Sequence, residues 1–315
     1  MPIVGGGSSF IRPVMSRWAK AAGAKEMAVE YKVLGTGAAQ NQLLAGEVDF
    51  AAVELPLAPD KLELGDLIQV PVAFGGMTLV VNIDGVSDGQ LRLDAMSLGA
   101  IFSGAIRKWS DPRIAALNPD IKLPDIDVRP VFLGDPSGAV FSTSATLARY
   151  LIANNPDWQA RYPSGPRTRW AVGSMVPSAE AMIPVVGSQQ GGIGYMALGT
   201  ALANKLTTVR LVNKRGDTLR IEPAGLRAAV DHLDWATAAH LVVDAMDLPA
   251  TGAWPLVLPT YAIFPRHPRN KARGQVVREF LTFAITQGHQ AVLDSYGIPL
   301  PQAASAKVGA VLASA

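Results

Sequence analysis

The chain has no cysteine among its 315 residues, which excludes disulfide bridges, zinc–thiolate centres and cysteine nucleophiles. Charged residues are scarce at 17% and nearly balanced, leaving a formal net charge of +2. Lysine and arginine are scattered; Arg107 beside Lys108, and the stretch 266–273, read as solvated faces. This is neither the basic footprint of a nucleic-acid binder nor a polybasic membrane anchor, so no nucleic-acid partner is expected. The four histidines, His232, His240, His267 and His289, lack metal-type spacing, and neither a metal nor a cofactor is expected. Apolar runs long enough to span a membrane are also missing, and Met1-Pro2-Ile3 does not open a secretory leader. The expectation is either a cytosolic protein or an exported one read without its leader.

What is present is apolar residue in quantity, 49% of the chain, which fits a compact helix-plus-sheet protein and excludes a disordered one. The length suits two domains. Ile11, Val14, Met15 and Trp18 give a helical stripe, Val29 to Val33 a short strand, Leu43 and Leu44 a second helix, and Val48 to Val53 a buried strand. This is a βαβ rhythm. Gln69 to Asn82 reads as strand broken by Gly75-Gly76, and Pro119 to Pro130 as a connector. Val128 to Leu133 reads as strand, Trp254 to Phe264 as strand, Val276 to Leu293 as one long amphipathic helix, and Ala303 to Ala315 as a fraying tail.

Three segments share a glycine-bearing turn with hydroxyl side chains that leads into a helical pattern: 5–10 (GGGSSF), 34–38 (LGTGA) and 134–138 (GDPSG). A helix start exposes unpaired N–H groups at the positive end of its dipole, so each turn can hold an anion or a polar ligand. Taken singly, each is also ordinary punctuation before a helix. None is a nucleotide signature: Gly35-Thr36-Gly37 lacks the third glycine of the dinucleotide fingerprint, and no turn carries Gly-Lys-Ser/Thr. Ser137 stands in Asp-Pro-Ser-Gly and not in a nucleophile elbow, so no catalytic residue is assigned.

In order and wording these segments resemble the phosphate-binding proteins of the PstS type that serve bacterial ABC importers. The opening GGGSSF with Pro13, Val14 and Trp18 matches, followed by Val48 to Leu57, then Leu98 to Trp109 with Leu117-Asn118-Pro119. Asp135 to Phe141, Gly191 to Tyr195, and Ala253-Trp254-Pro255 complete the series. The resemblance implies an α/β, two-lobed periplasmic-binding-protein fold of type II, with mixed sheets flanked by helices and two crossover hinge strands. It implies lobe I at 1–82 plus 256–315, lobe II at 83–255, and a small ligand between them. It further implies a monomeric, periplasmic receptor that docks on permease subunits and is not an enzyme. Trp109, Trp170, Trp254 and Tyr195 are expected mainly in the packing.

The resemblance also implies a pocket: the Ser9 hydroxyl, the Phe10 N–H, Thr36, Glu54, Asp135, Ser137, the Gly138 N–H and Ala139. Three positions depart from the family pattern. Leu133 stands where the family has a ligand-facing arginine, Ala139 where it has a threonine, and Glu54 where it has a proton-accepting aspartate. Losing an arginine–oxyanion contact costs about 1.5–3 kcal/mol, roughly one to two powers of ten in affinity. Arg129 lies on the same face as Leu133 by the two-residue period and is a candidate to compensate. The readings left open are phosphate or a related oxyanion; a neutral, hydroxylated or cationic ligand matched to Glu54 and Asp135; an enzyme using those carboxylates as acid and base; and a scaffold that has lost its ligand.

Overall fold

The computed structural model describes residues 2–134, 140–162 and 170–314. In chain order the first elements are β1 (Ile3–Gly7), α1 (Arg12–Gly23), β2 (Val29–Val33), α2 (Thr36–Ala45), β3 (Phe50–Val53), α3 (Pro59–Leu64) and β4 (Leu67–Asn82). Next come β5 (Arg92–Leu93), α4 (Ala95–Phe102), α5 (Pro112–Leu117), β6 (Arg129–Leu133), α6 (Ser142–Asn154), α7 (Pro156–Arg161), β7 (Ser174–Val176), α8 (Ala179–Ser188) and β8 (Gly192–Ala197). The remainder is α9 (Leu198–Ala203), β9 (Thr207–Thr208), β10 (Arg210–Val212), β11 (Thr218–Arg220), α10 (Pro223–Asp231), β12 (Val257–Pro265), α11 (Lys271–Thr286), α12 (His289–Leu293), β13 (Ile298–Pro299) and α13 (Gln302–Ser314).

Contacts divide the chain into two units, Met1–Gly75 with Val230–Ala245 and Leu258–Ala315, and Gly76–Ala229 with Met246–Val257. The stretch 83–255, expected in one lobe, thus gives Val230–Ala245 to the first unit. The packing there is specific. The Trp235 ring meets Phe74 edge-on at 6.0 Å, Lys307 Nζ donates to the Trp235 carbonyl, and Tyr261 Oη bonds both the N–H and the carbonyl of Val243 at 3.1 Å.

The first unit carries strands in the order β2-β1-β3-β12-β4, with β13 also on β4. Strands β1, β2 and β3 are mutually parallel, with Gly7 opposite both Val33 and Ala52, whereas β12 runs antiparallel to β3. β3 is buried along its whole length, as expected of a parallel strand covered on both faces. Gly5, Gly6 and Gly7, expected in a turn, belong to β1 itself. Glycine is required there by close approach: a Cβ on Gly5 would lie 2.2 Å from the Phe50 ring, and one on Gly7 2.0 Å from the Ala52 carbonyl oxygen.

The second unit has the order β4-β8-β6-β7, with β9 also on β4, beside a small β11-β10-β5 sheet. α4 begins with a reciprocal capping box between Asp94 and Ser97, and α8 with the Ser178 hydroxyl on the Ala181 N–H. Trp109 and Trp254 are fully buried and donate to the Gly191 and Met77 carbonyls at 2.9 Å. Trp170 joins an aromatic cluster with Phe102, Phe132, Trp158 and Tyr195.

Three further expectations change. β4 is not broken at Gly75-Gly76 but continuous, because a Cβ at Gly75 would meet the Phe10 ring at 2.5 Å and one at Gly76 the Leu226 side chain at 2.6 Å. The long helix from Val276 divides into α11 and α12 at Gln287-Gly288, where the Trp18 indole donates to the Gly288 carbonyl at 2.8 Å. The alanine-rich tail forms α13, which buries Ala304, Val308 and Leu312.

Candidate functional site

Because β1, β2 and β3 are parallel and in register, their carboxyl ends finish at one edge of the first unit's sheet. Ligands of open α/β sheets gather at such an edge. The chain leaving β1 runs through Ser8, Ser9 and Phe10 into α1; the chain leaving β2 turns at Gly35 into α2; the chain leaving β3 reaches Glu54. The first two turns are tied together, since the N–H groups of Leu34 and Gly35 both donate to the Gly7 carbonyl, at 2.9 and 3.1 Å. Gly35 has φ of 79°, a left-handed conformation that glycine adopts without steric penalty.

Both helices start without a side-chain cap and without an acidic residue in the first turn. The leading N–H groups and dipole end of α2 therefore remain available to an anion, whereas at α1 the Arg12 N–H is given to the Ser9 carbonyl and Pro13 has none. Thr36, the first residue of α2, is only 2% exposed, and its hydroxyl has no hydrogen-bond partner among the described residues. A buried hydroxyl left so costs about 1–3 kcal/mol.

Glu54 is 4% exposed. Its Oε1 accepts from Ser8 Oγ at 2.7 Å and from Thr260 Oγ1 at 3.3 Å. Tyr31 Oη donates to the Ser8 carbonyl at 2.9 Å and is 3.4 Å from that of Ala52. Burial, and then the Glu54 carboxylate, raise the Tyr31 pKa well above that of free tyrosine, so it stays a neutral donor. Sequence reasoning missed Ser8, Tyr31 and Thr260. Ser8 was within reach as the neighbour of Ser9, but Tyr31 and Thr260 sit in strands whose pairing no local pattern reveals.

Ser9, Phe10, Thr36 and Glu54 are thus gathered on one edge. Ser9 and Phe10 are half-buried, and the Ser9 hydroxyl has no partner among the described residues. Asp135, Ser137, Gly138 and Ala139 lie outside the described residues. Immediately before them, Leu133 is 6% exposed and closely held: its N–H donates to Tyr195 Oη at 3.1 Å and its carbonyl accepts from Ser144 Oγ at 3.0 Å. Ser144 Oγ and Tyr195 Oη are 2.7 Å apart, and burial raises the Tyr195 pKa, keeping it protonated. Arg129 is exposed at the far end of β6 from Leu133.

No group of three or more potential metal ligands occurs among the described residues. None of the helices in the described residues is long and apolar enough to cross a membrane. What the first unit's edge offers is hydroxyls and the free start of α2 beside a buried carboxylate, an arrangement suited to binding an oxygen-rich ligand.

The sequence matches the model of the PBP superfamily domain over residues 2–287. It is 30% identical over 303 residues to the phosphate-binding protein PstS of Xylella fastidiosa, covering 95% of this chain and 81% of that protein. It is also 30% identical over 312 residues to the phosphate-binding protein PstS of Pasteurella multocida, covering 98% and 89% respectively. In structure it is similar to a phosphate-binding protein from Stenotrophomonas maltophilia, with a TM-score of 0.72 at 18% identity, over 98% of this chain and 93% of that one. The mixed α/β architecture is that of the type II periplasmic-binding-protein fold. The chain belongs to the PBP superfamily and, within it, to the family of PstS phosphate-binding proteins.

Proposed function

We propose that this protein is the solute-binding component of an ABC importer and that it takes phosphate or a closely related oxyanion. The observation that carries the reading is the buried Thr36 hydroxyl, without a partner among the described residues, at the start of α2. Around it are the uncapped start of α1, the Ser9 hydroxyl and the Phe10 N–H. By resemblance to the family, Ser137 and the Gly138 N–H are further candidate ligand contacts. The protein works in the periplasm as a monomer, hands its ligand to permease subunits, and turns nothing over. Glu54 suits a receptor better than an enzyme, because Ser8 and Thr260 hold its carboxylate as a fixed acceptor and not as a mobile proton carrier.

A second reading keeps the role and changes the ligand to a neutral, hydroxylated or cationic molecule. It is favoured by Leu133, whose buried apolar side chain replaces the family's arginine while Glu54 keeps a carboxylate at the edge. Calorimetric titration separates the two. Protein unfolded, dialysed and refolded is titrated with phosphate, sulfate and arsenate. Saturable phosphate binding supports the first reading, and well-folded protein that binds none of the three refutes it.

A further inference from the structure

Resting on the oxyanion reading above, we infer that Tyr31 is a positioning residue of this site: its hydroxyl holds the Ser8–Ser9 peptide, and with it the turn that presents Ser9 and Phe10 to the bound anion. Tyr31 stands on β2, one strand away from that turn, and its Oη donates to the Ser8 carbonyl at 2.9 Å. The rest of Ser8 is held as well, its N–H on the Ala52 carbonyl at 3.1 Å and its Oγ on Glu54 at 2.7 Å. Every polar group of Ser8 is therefore engaged. The next two residues are the opposite case: among the described residues, the Ser9 N–H, the Ser9 hydroxyl and the Phe10 N–H all lack a hydrogen-bond partner.

A trans peptide is planar, with its C=O and N–H directed oppositely. With the Ser8 carbonyl turned to Tyr31, the Ser9 N–H is fixed pointing away from that hydroxyl. The far side of the turn is fixed too, by the Phe10 ring against Gly75, where a Cβ would lie 2.5 Å from it, and by the Arg12 N–H on the Ser9 carbonyl at 3.4 Å. The fold makes room for the tyrosine, since a Cβ on Gly7 would lie 2.3 Å from Tyr31 Oη. Donors on a turn that is pinned at both ends and left unpaired between them are preorganised for a ligand. A second observation points independently to a ligand at this edge: the buried Thr36 hydroxyl, without a partner among the described residues, next to the turn bonded to Gly7.

The test compares wild type and Tyr31→Phe, both stripped of ligand and refolded, by phosphate calorimetry, thermal unfolding and the amide proton shifts of Ser9 and Phe10 with and without saturating phosphate. Phenylalanine fills the same space and lacks only the hydroxyl. The inference expects the wild-type Ser9 or Phe10 amide proton to move downfield when phosphate binds, as an N–H does on meeting a charged oxygen. In Tyr31→Phe that movement should shrink or vanish, and the phosphate affinity should fall about ten- to a hundredfold. Full wild-type shifts in Tyr31→Phe, or an affinity within twofold of wild type, would overturn the inference even with a lower melting temperature, because Tyr31 would then be structural alone. Wild type that binds phosphate without moving either amide would overturn it too, whether or not the variant folds, and would leave the oxyanion reading standing. If wild type binds no phosphate, sulfate or arsenate, both fall together.

Discussion

Thr36→Val separates binding from stability at the centre of the candidate site. Valine has nearly the shape of threonine, so the 2%-exposed position stays filled and only the hydroxyl is lost. That hydroxyl has no hydrogen-bond partner among the described residues, and its burial costs about 1–3 kcal/mol. Both residues are β-branched with similar helix propensity, so the start of α2 is little affected. Ligand-free Thr36→Val should therefore be as stable as wild type, or more stable by up to about 1–3 kcal/mol, read from urea unfolding with an unchanged slope. Phosphate binding should move the other way. A hydroxyl donating to a charged oxygen contributes about 1.5–3 kcal/mol, so the dissociation constant should rise about ten- to a hundredfold. Calorimetry on the same refolded samples measures it. A variant destabilised by more than about 1 kcal/mol that kept its phosphate affinity would refute the reasoning, because the hydroxyl would then be structural.

Three other substitutions probe the frame. Tyr195→Phe leaves the buried Leu133 N–H without its 3.1 Å acceptor and removes the contact with Ser144; it should cost about 1–3 kcal/mol, and a double-mutant cycle with Ser144→Ala should show coupling above about 0.5 kcal/mol. Gly7→Ala puts a methyl group 2.0 Å from the Ala52 carbonyl oxygen and 2.3 Å from Tyr31 Oη; it should destabilise by about 1–3 kcal/mol or more, whereas Gly37→Ala, with nothing within 4 Å of the new methyl, should be neutral or stabilising by up to about 1 kcal/mol. Burial raises the Asp247 carboxyl above its ordinary 3.8, opposed by the bond from the Lys214 N–H and by the Lys214 charge. With a raised folded-state pKa, its contribution to stability is greatest below 3.8 and is lost as pH rises through the folded value. Asp247→Asn should therefore raise the melting temperature at pH values well above that window and lose its advantage below it; asparagine also accepts the φ of 46° found there.

The parts of the fold legible in the sequence were those set by local pattern. Buried apolar runs located β3 and β6, and the period of Val14, Met15 and Trp18 located α1. Where the outcome depended on a partner distant in sequence, local pattern misled. Gly5 to Gly7 and Gly75-Gly76 look like turns because glycine usually marks them; here each lies in a strand because Phe50, Phe10 or the Ala52 carbonyl comes too close for a side chain. Apolar periodicity likewise continues through Gln287-Gly288, and only Trp18, some 270 residues earlier, explains the break. The first unit's claim on Val230–Ala245 depends in the same way on Phe74, Tyr261 and Lys307.

For the site, the sequence could name the hydroxyls and turns but not their allegiances. Ser8 and Ser9 are indistinguishable as letters, yet one is bonded to Glu54 and the other has no partner among the described residues. The difference follows from the parallel register: Gly7 opposite Ala52 brings the next residue of each chain, Ser8 and Val53, to the same level, with Glu54 just beyond. That register also makes Glu54 part of the frame, braced by Ser8 from one strand end and Thr260 from β12. A carboxyl so braced is a fixed acceptor at the edge. Reading Leu133 as a lost arginine therefore states only half of the change, because Glu54 keeps a carboxyl group at the first unit's edge. Either the ligand is an oxyanion held by the hydroxyls and the start of α2 beside that acceptor, or it is a neutral or cationic molecule that donates to it. Those are the two readings that phosphate titration of the wild-type protein separates.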